Sequence, residues 1–264
     1  MIAKLIEIYK HRELLVVFTK KELKVKYKNS AMGVLWSFIN PLIMAVVYTL
    51  VFSKLFGASK EIKDYPIFLL SALLAWNFFT VCIATSSSAI IANANLIKKV
   101  RFPREIIPLS IILAALANYL MEVAVLMVIL LIMGYNFIPY LPIFLLVLIL
   151  QLIATAGFGF IFSALTVYFR DIEQLINIIL LIWFFATPIV YDISKVNKLS
   201  PIFATALKIL NPLVSIMLLY RSSLYYLSWP SLQLIIYGLL GSTSIFIAGY
   251  ILFQKLSPNF AKEV

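Results

Sequence analysis

The feature that most constrains this chain is a series of apolar runs, separated by short polar or proline-containing breaks. They fall at residues 33–56, 67–91, 106–133, 143–169, 175–190 and 232–253. About 20 apolar residues in a helix cross a hydrocarbon core of roughly 30 Å. Lipid offers no partner to backbone N–H and C=O groups, so a segment that crosses it is a helix or a strand of a closed barrel. Runs of this length without a two-residue alternation predict helices. Composition agrees: 63% of the 264 residues are hydrophobic, 12% are charged, and the mean hydropathy is +1.03. Soluble domains hold roughly 45–50% apolar and about 25% charged residues. The expected fold is therefore all-α, a polytopic membrane protein with six transmembrane helices. Residues 31–264 would form a single membrane domain behind an amino-terminal segment, 1–30. The fifth run is short, and the second ends in a Ser/Thr-rich stretch at 85–88.

Charge gives the orientation. Alternating spans put the amino terminus, the 93–105 loop, the 170–174 loop and the tail on one side, with 15 of the 22 Lys and Arg. Lys54, Lys60, Lys63, Lys195, Lys198, Lys208 and Arg221 fall on the other. Basic residues stay with the cytoplasmic face, so both termini are expected in the cytoplasm. The net charge of +11 then records topology and does not call for a nucleic-acid partner. The first thirty residues carry eight Lys/Arg and three Glu around a short apolar patch at 14–18. No small-residue cleavage site follows that patch, so no cleaved signal peptide is expected. Cys82 is the single cysteine, and no disulfide framework is available.

The region 199–228 resists a simple reading. Pro201, Lys208, the Asn211-Pro212 pair and Arg221 divide it into clean pieces at 202–207 and 213–220, neither long enough to cross. Two half-helices dipping in from the external face fit this pattern. Non-helical backbone at that depth persists only where protein covers it or a wet cavity lies beside it. An amphipathic cap on the outer leaflet is the alternative.

Residues 1–28 interleave apolar and basic groups. Val16, Leu23 and Tyr27 share one helical face, and Lys20, Lys21, Lys24 and Lys28 fall largely on the other. Such a helix lies in the membrane interface with its lysines toward anionic headgroups. The loop "NANLIKKVRFPRE" (93–105) sets Leu96, Ile97, Val100 and Phe102 among Lys98, Lys99, Arg101 and Arg104, and Pro103 ends its one helical turn. Apolar knobs in a basic rim suit the groove of a protein partner, and a basic membrane anchor is the plainer reading. In "VYFRDIEQL" (167–175), Asp171 or Glu173 complements the positive end of the fifth span, and Arg170 can pair locally.

Several chemistries are missing. No G-x-x-x-x-G-K-[ST] is present, so the chain has no phosphate cradle of its own. His11 is the single histidine, which leaves no metal-ligand cluster. The eleven carboxylates form no pair within a span, against a membrane hydrolase. Glu122 sits mid-span and should face the bundle interior, with Asn118 one turn away as an available hydrogen-bond partner. Driven transport would need energy from outside the chain. Trp36 and Trp229 lie at expected interfaces. Trp76, the Trp183-Phe184-Phe185 cluster and Tyr191 could line a path whose flat rings receive sugar faces, or could be packing aromatics.

Five stretches, "YKNSAMGVLWSFINPLIMAVVY" (27–48), "NLIKKVRFPREIIPLS" (95–110), "YFRDI" (168–172), "TPIVY" (187–191) and "LNPLVSIMLLYR" (210–221), resemble in order and spacing the type-two ABC exporter permeases. The resemblance covers essentially the whole chain. It is nearest to the subunits that export O-antigen, capsule and teichoic-acid polymers, O-antigen permeases above all. It implies six spans with both termini inside, and a homodimer working with two separate ATPase subunits that hold ATP and Mg, so no cofactor is expected on this chain. It further implies that Leu96, Lys98, Lys99, Arg101, Phe102 and Arg104 belong to the element that docks on the ATPase. The amino-terminal helix would lie along the interface, and 199–228 would form re-entrant segments near the exit. The cargo implied is a polysaccharide on a polyprenyl-diphosphate lipid, moved to the periplasmic side. Export of a drug or small lipid on the same architecture, and a membrane-embedded enzyme of glycan assembly, are the competing functions.

Overall fold

The computed structural model of the chain describes residue 7 and residues 9–28, 32–48, 50–51 and 62–264. All regular structure among these is helical. In chain order the helices are α1 (Arg12–Tyr27), α2 (Trp36–Tyr48), α3 (Tyr65–Ala92), α4 (Ala94–Lys99), α5 (Ile106–Ile132) and α6 (Leu141–Tyr168). There follow α7 (Ile172–Ala186), α8 (Ile193–Leu199), α9 (Pro201–Leu210), α10 (Pro212–Leu224), α11 (Leu232–Leu256) and the short α12 (Phe260–Glu263).

Four of these are long and apolar enough to cross a membrane: α3, α5, α6 with the turn that leads into it, and α11 with the turns that follow it. Helix α7 has 15 residues, a rise of about 23 Å at 1.5 Å per residue. Of the first apolar run, α2 covers Trp36–Tyr48. Residues 49 and 52–56 of that run lie outside the described residues, as do residues 1–6 and 8, Lys54 and Lys60.

Helix α6 is the centre of the bundle, packed against α3, α10 and α11. Its contact with α11 is backbone to backbone: a Cβ at Gly157 would stand 2.7 Å from the main-chain carbon and oxygen of Ile245. On α11, a Cβ at Gly249 would overlap the Gly157 carbonyl oxygen. Small residues permit such approach, and in lipid this packing replaces the hydrophobic drive that joins helices in water. The buried Gln151 of α6 adds polar links, its Nε2 donating to Ala75 O of α3 at 2.6 Å and its Oε1 accepting from the Tyr220 hydroxyl of α10 at 2.5 Å. By contrast α7 buries just Ile176, Leu180 and Phe184, one stripe at four-residue spacing, and leaves large apolar side chains exposed on either side of it.

The divided region 199–228 resolves into α9 and α10, bent by 99° where Asn211 separates them. Asn211 caps α10, its side chain accepting from Leu213 N at 3.1 Å, and Pro212 opens the helix where no N–H is needed. Ser200 and Pro201 open α9 in the same way. Every residue of α10 is buried within the bundle. Helix α9 instead exposes Ile202, Phe203, Ile209 and Leu210. The two halves thus differ in environment, which the symmetrical expectation of paired dipping half-helices did not distinguish.

The loops segregate by end. At one end the α4 loop, the α6–α7 turn and the segment after α11 meet, with Arg104 over the Phe260 ring at 5.9 Å and Tyr168 OH donating to Leu256 O at 3.1 Å. At the other, Tyr135 OH donates to Asp64 Oδ2 at 2.6 Å, Tyr225 OH to Lys63 O at 2.6 Å, and Tyr226 OH to Asp192. This is the separation that alternating spans require.

Candidate functional site

The loop singled out by its basic and apolar mixture forms α4 and an extended stretch at one end of the bundle. Lys98, Lys99, Val100 and Arg101 are exposed, while Leu96, Phe102 and Arg104 are half-buried. Ile97 points the other way and is buried in the bundle. It anchors the loop to its own protein and is not one of the knobs offered outward. Phe102 is also partly engaged, its ring 6.0 Å from that of Phe18 on α1.

Helix α1 buttresses this loop. Leu14, Leu15, Phe18 and Leu23 face the bundle, mainly α5, and Lys20, Lys24, Lys26 and Lys28 are exposed. Val16 shares the expected apolar face with Leu23 and Tyr27, but it is exposed where those two are half-buried. The stripe is set instead by Phe18, the one fully buried side chain of α1, which leaves Val16 about two helical positions off the seam. Lys21 Nζ reaches Asn93 Oδ1 at 3.0 Å, so α1 holds the start of α4 as well as Phe102.

Arg170, Asp171 and Glu173 are exposed at the entry of α7. The two acids lie at its first turn, where the helix dipole favours negative charge. Arg170 makes no ion pair among the described residues. On α5, Asn118 does not serve Glu122. Its Oδ1 accepts from the Tyr27 hydroxyl of α1, and its Nδ2 donates to Ala114 O at 3.1 Å. Glu122 is half-buried, without a hydrogen bond or ion pair among the described residues, and the charge acting on it is the Lys26 ammonium.

The aromatic cluster divides. Trp76, Phe184 and Phe185 line an open groove of about 440 Å³ between α2, α3 and α7, with Tyr48, Asn77 and Asn177. The Phe184 ring lies 5.8 Å from Trp76 and 6.1 Å from Tyr48. Rings beside amides can stack on the apolar faces of a polar ligand and bond to its hydroxyls. Trp183 turns away from the groove. It packs edge to face with Phe158 at 4.9 Å and Phe79 at 5.5 Å, inside the bundle. Tyr191 lies beyond α7 and donates its hydroxyl to Phe185 O at 3.1 Å.

Arg221 is where sequence reasoning fell furthest short. It was counted as an external charge, yet it is fully buried on α10. Its guanidinium donates to Pro188 O at 2.6 Å and Ile189 O at 2.5 Å, with longer contacts to Tyr191 O and Phe68 O at 3.4 Å. It also stands 3.6 Å from the centroid of the Phe68 ring. A guanidinium is the one cation with enough fixed donors to pin a turn of backbone this way. The signal was available: an Arg within an apolar run is costly unless partnered, so a partner must be built for it. Nearby, Asn211 Nδ2 donates to Thr187 Oγ1 at 3.0 Å. The "TPIVY" and "LNPLVSIMLLYR" stretches are thus two halves of one joint. Burial alone would raise the carboxyl of Asp192, at its rim, but hydrogen bonds from Tyr226 and Ser194 and the Arg221 charge outweigh it and hold that group below the usual carboxylate range.

Long apolar helices, a bent half-helix pair and a braced basic loop at one end describe a multi-pass membrane protein. Residues 13–225 match the family described as ABC-2 type transporter, and the chain belongs to that family. Over 260 residues, 98% of each chain, it is 31% identical to an O-antigen export system permease protein, RfbA, of Myxococcus xanthus. A Klebsiella pneumoniae protein of the same description is 34% identical over 255 residues, covering 95% of this chain and 94% of its own.

Proposed function

We propose that this chain is the permease subunit of an ATP-driven exporter that carries an O-antigen-like polysaccharide, linked to polyprenyl diphosphate, across the inner membrane to the periplasmic side. It acts as a homodimer with two separate ATPase subunits, and ATP and Mg are held by those partners. The single observation that carries this reading is the near-full-length likeness to O-antigen export permeases. The loop braced on α1 and exposing Lys98, Lys99 and Arg101 supports it, since a force-bearing contact needs a firm seat.

In this reading the bundle has six spans. Helix α2 belongs to the first, and α7 with its following turn makes the fifth. The pair α9–α10 is re-entrant at the periplasmic side, α1 lies at the cytoplasmic interface against membrane lipids, and both termini are cytoplasmic. Leu96, Lys98, Lys99, Arg101, Phe102 and Arg104 receive the ATPase, and Arg170, Asp171 and Glu173 border that contact. Trp76, Phe184 and Phe185 line part of the polymer's path. A partner's binding can move the bundle only if its ATP-bound and ATP-free states differ in affinity for the loop.

The test is reconstitution of the permease with its ATPase subunits in lipid nanodiscs. Lipid-linked polysaccharide should stimulate ATP hydrolysis, and Arg101→Glu should abolish the stimulation while the permease remains folded. Stimulation by a small amphiphile but not by the polymer would replace the polysaccharide with a drug or lipid cargo. Turnover of a glycan substrate by the permease alone would refute the transport reading.

A further inference from the structure

Resting on the coupling role proposed for the 96–104 loop, we infer that the last turn of α11 and the segment after it form a strap that transmits the loop's motion. Phe260 is its positioning residue. The strap runs from Gln254 and Leu256 in the last turn of α11, through the turn Ser257–Asn259, to α12. Phe260 is fully buried. Its ring meets Phe253 of α11 edge to face at 5.4 Å and Tyr168, the last residue of α6, at 6.5 Å. The Arg104 guanidinium stands 5.9 Å from the ring centroid. The neighbouring Glu105, 2% exposed, accepts a hydrogen bond from Gln254 Nε2 on α11.

Two adjacent residues of the loop are therefore gripped by one short stretch, Arg104 by Phe260 and Glu105 by Gln254. The grip is made of different chemistry on each residue, a cation over a ring and a carboxylate taking an amide N–H, so slippage along one axis does not release the other. The same stretch is fastened to α6, because Tyr168 OH donates to Leu256 O at 3.1 Å. Helix α12 also packs directly on α4 and on α6. Helix α7 follows Tyr168 after a turn of a few residues. A displacement of Arg101–Arg104 by a docked ATPase thus reaches the ends of α6 and α11 through Phe260, and reaches the root of α7 through Tyr168. Without the ring, the loop would keep its brace on α1 but lose this route to α6 and α11, and the bundle would feel less of its motion.

The experiment uses the full permease–ATPase complex in nanodiscs and reads polymer exported per ATP hydrolysed, with ATPase co-purification as the assembly control. Phe260→Ala should lower that ratio about threefold or more while the ATPase subunits still co-purify in normal proportion, and Phe260→Tyr, which keeps the ring, should restore it. Gln254→Met, which fills the same space without the amide, should also lower the ratio. It decides the matter if Phe260→Ala does not assemble. An unchanged ratio in these two variants, with Arg101→Glu uncoupled, overturns the strap and leaves the loop's role standing. Normal coupling in Arg101→Glu as well shows instead that the loop assignment is at fault.

Discussion

Replacing Arg221 tests whether the joint between α10 and the 187–191 turn depends on charge or on the shape of a fork. Arg221→Met keeps the volume and removes all donors, orphaning the buried carbonyls of Pro188 and Ile189. An unsatisfied buried acceptor costs about 1–3 kcal/mol, so the pair costs roughly 2–6 kcal/mol. Against this, the guanidinium no longer has to be held out of water, which returns several kcal/mol in many buried sites. The net expectation for Met is a loss of about 2 kcal/mol. Arg221→Lys keeps the buried charge, but one ammonium cannot serve carbonyls that the fork reaches with Nε, Nη1 and Nη2. It therefore retains the desolvation cost and loses most of the bonds, for a loss of about 3–5 kcal/mol. For a chain of this size, 1 kcal/mol shifts a midpoint by roughly 2–4 °C. Thermal unfolding in detergent should rank wild type above Met and Met above Lys. A lysine variant as stable as the wild type would refute the reasoning, since it would show that charge alone suffices.

Gly157→Val should destabilise far more than Gly238→Ala, because a Cβ at Gly157 meets the Ile245 backbone at 2.7 Å whereas one at Gly238 meets movable Leu tips at 3.3 and 3.4 Å. Overpacking of this kind costs about 1–3 kcal/mol, and size-exclusion profiles of the heated variants will check it. Trp183→Ala should lower the amount of folded protein and export in parallel, since the ring is held by Phe79 and Phe158 inside the bundle. Export reduced in full-yield membranes would return Trp183 to the path. Asp192 has its pKa depressed in the folded state, so its stabilising effect is present at neutral pH and is lost as pH falls below about 4 and through the folded value. Asp192→Asn should flatten that acid limb of a stability–pH curve.

The long helices were legible because lipid imposes length: α3, α5, α6 and α11 coincide with runs of more than 20 apolar residues. The break at Asn211 was legible for a local reason, a capping side chain followed by a residue without an N–H. The pieces that escaped depend on partners distant in sequence. Arg221 finds carbonyls thirty or more residues away. The rotation of Trp183 away from Phe185 is set by helix packing, which periodicity leaves free when a helix is apolar on all sides, and the inward turn of Ile97 and the outward turn of Val16 depend on which of several neighbouring apolar side chains the bundle takes in. Phe260 followed no pattern that separates a clamp from an ordinary surface aromatic. In the candidate site the charged loop was found by its composition, while its mechanical surroundings on α1 and after α11 were not.

Gln151 has a consequence for how such a machine can change shape. With its amide spent on Ala75 and Tyr220, it rivets α3, α6 and α10 together deep in the bundle, where no water waits to take over a broken bond. Those helices make a stator. Helices α2 and α7 meet that block and each other through a few rings, Phe184 against Trp76 and Tyr48, so under the proposed function they are the walls that can give. A passage that widens for a bulky cargo would do so by parting those walls.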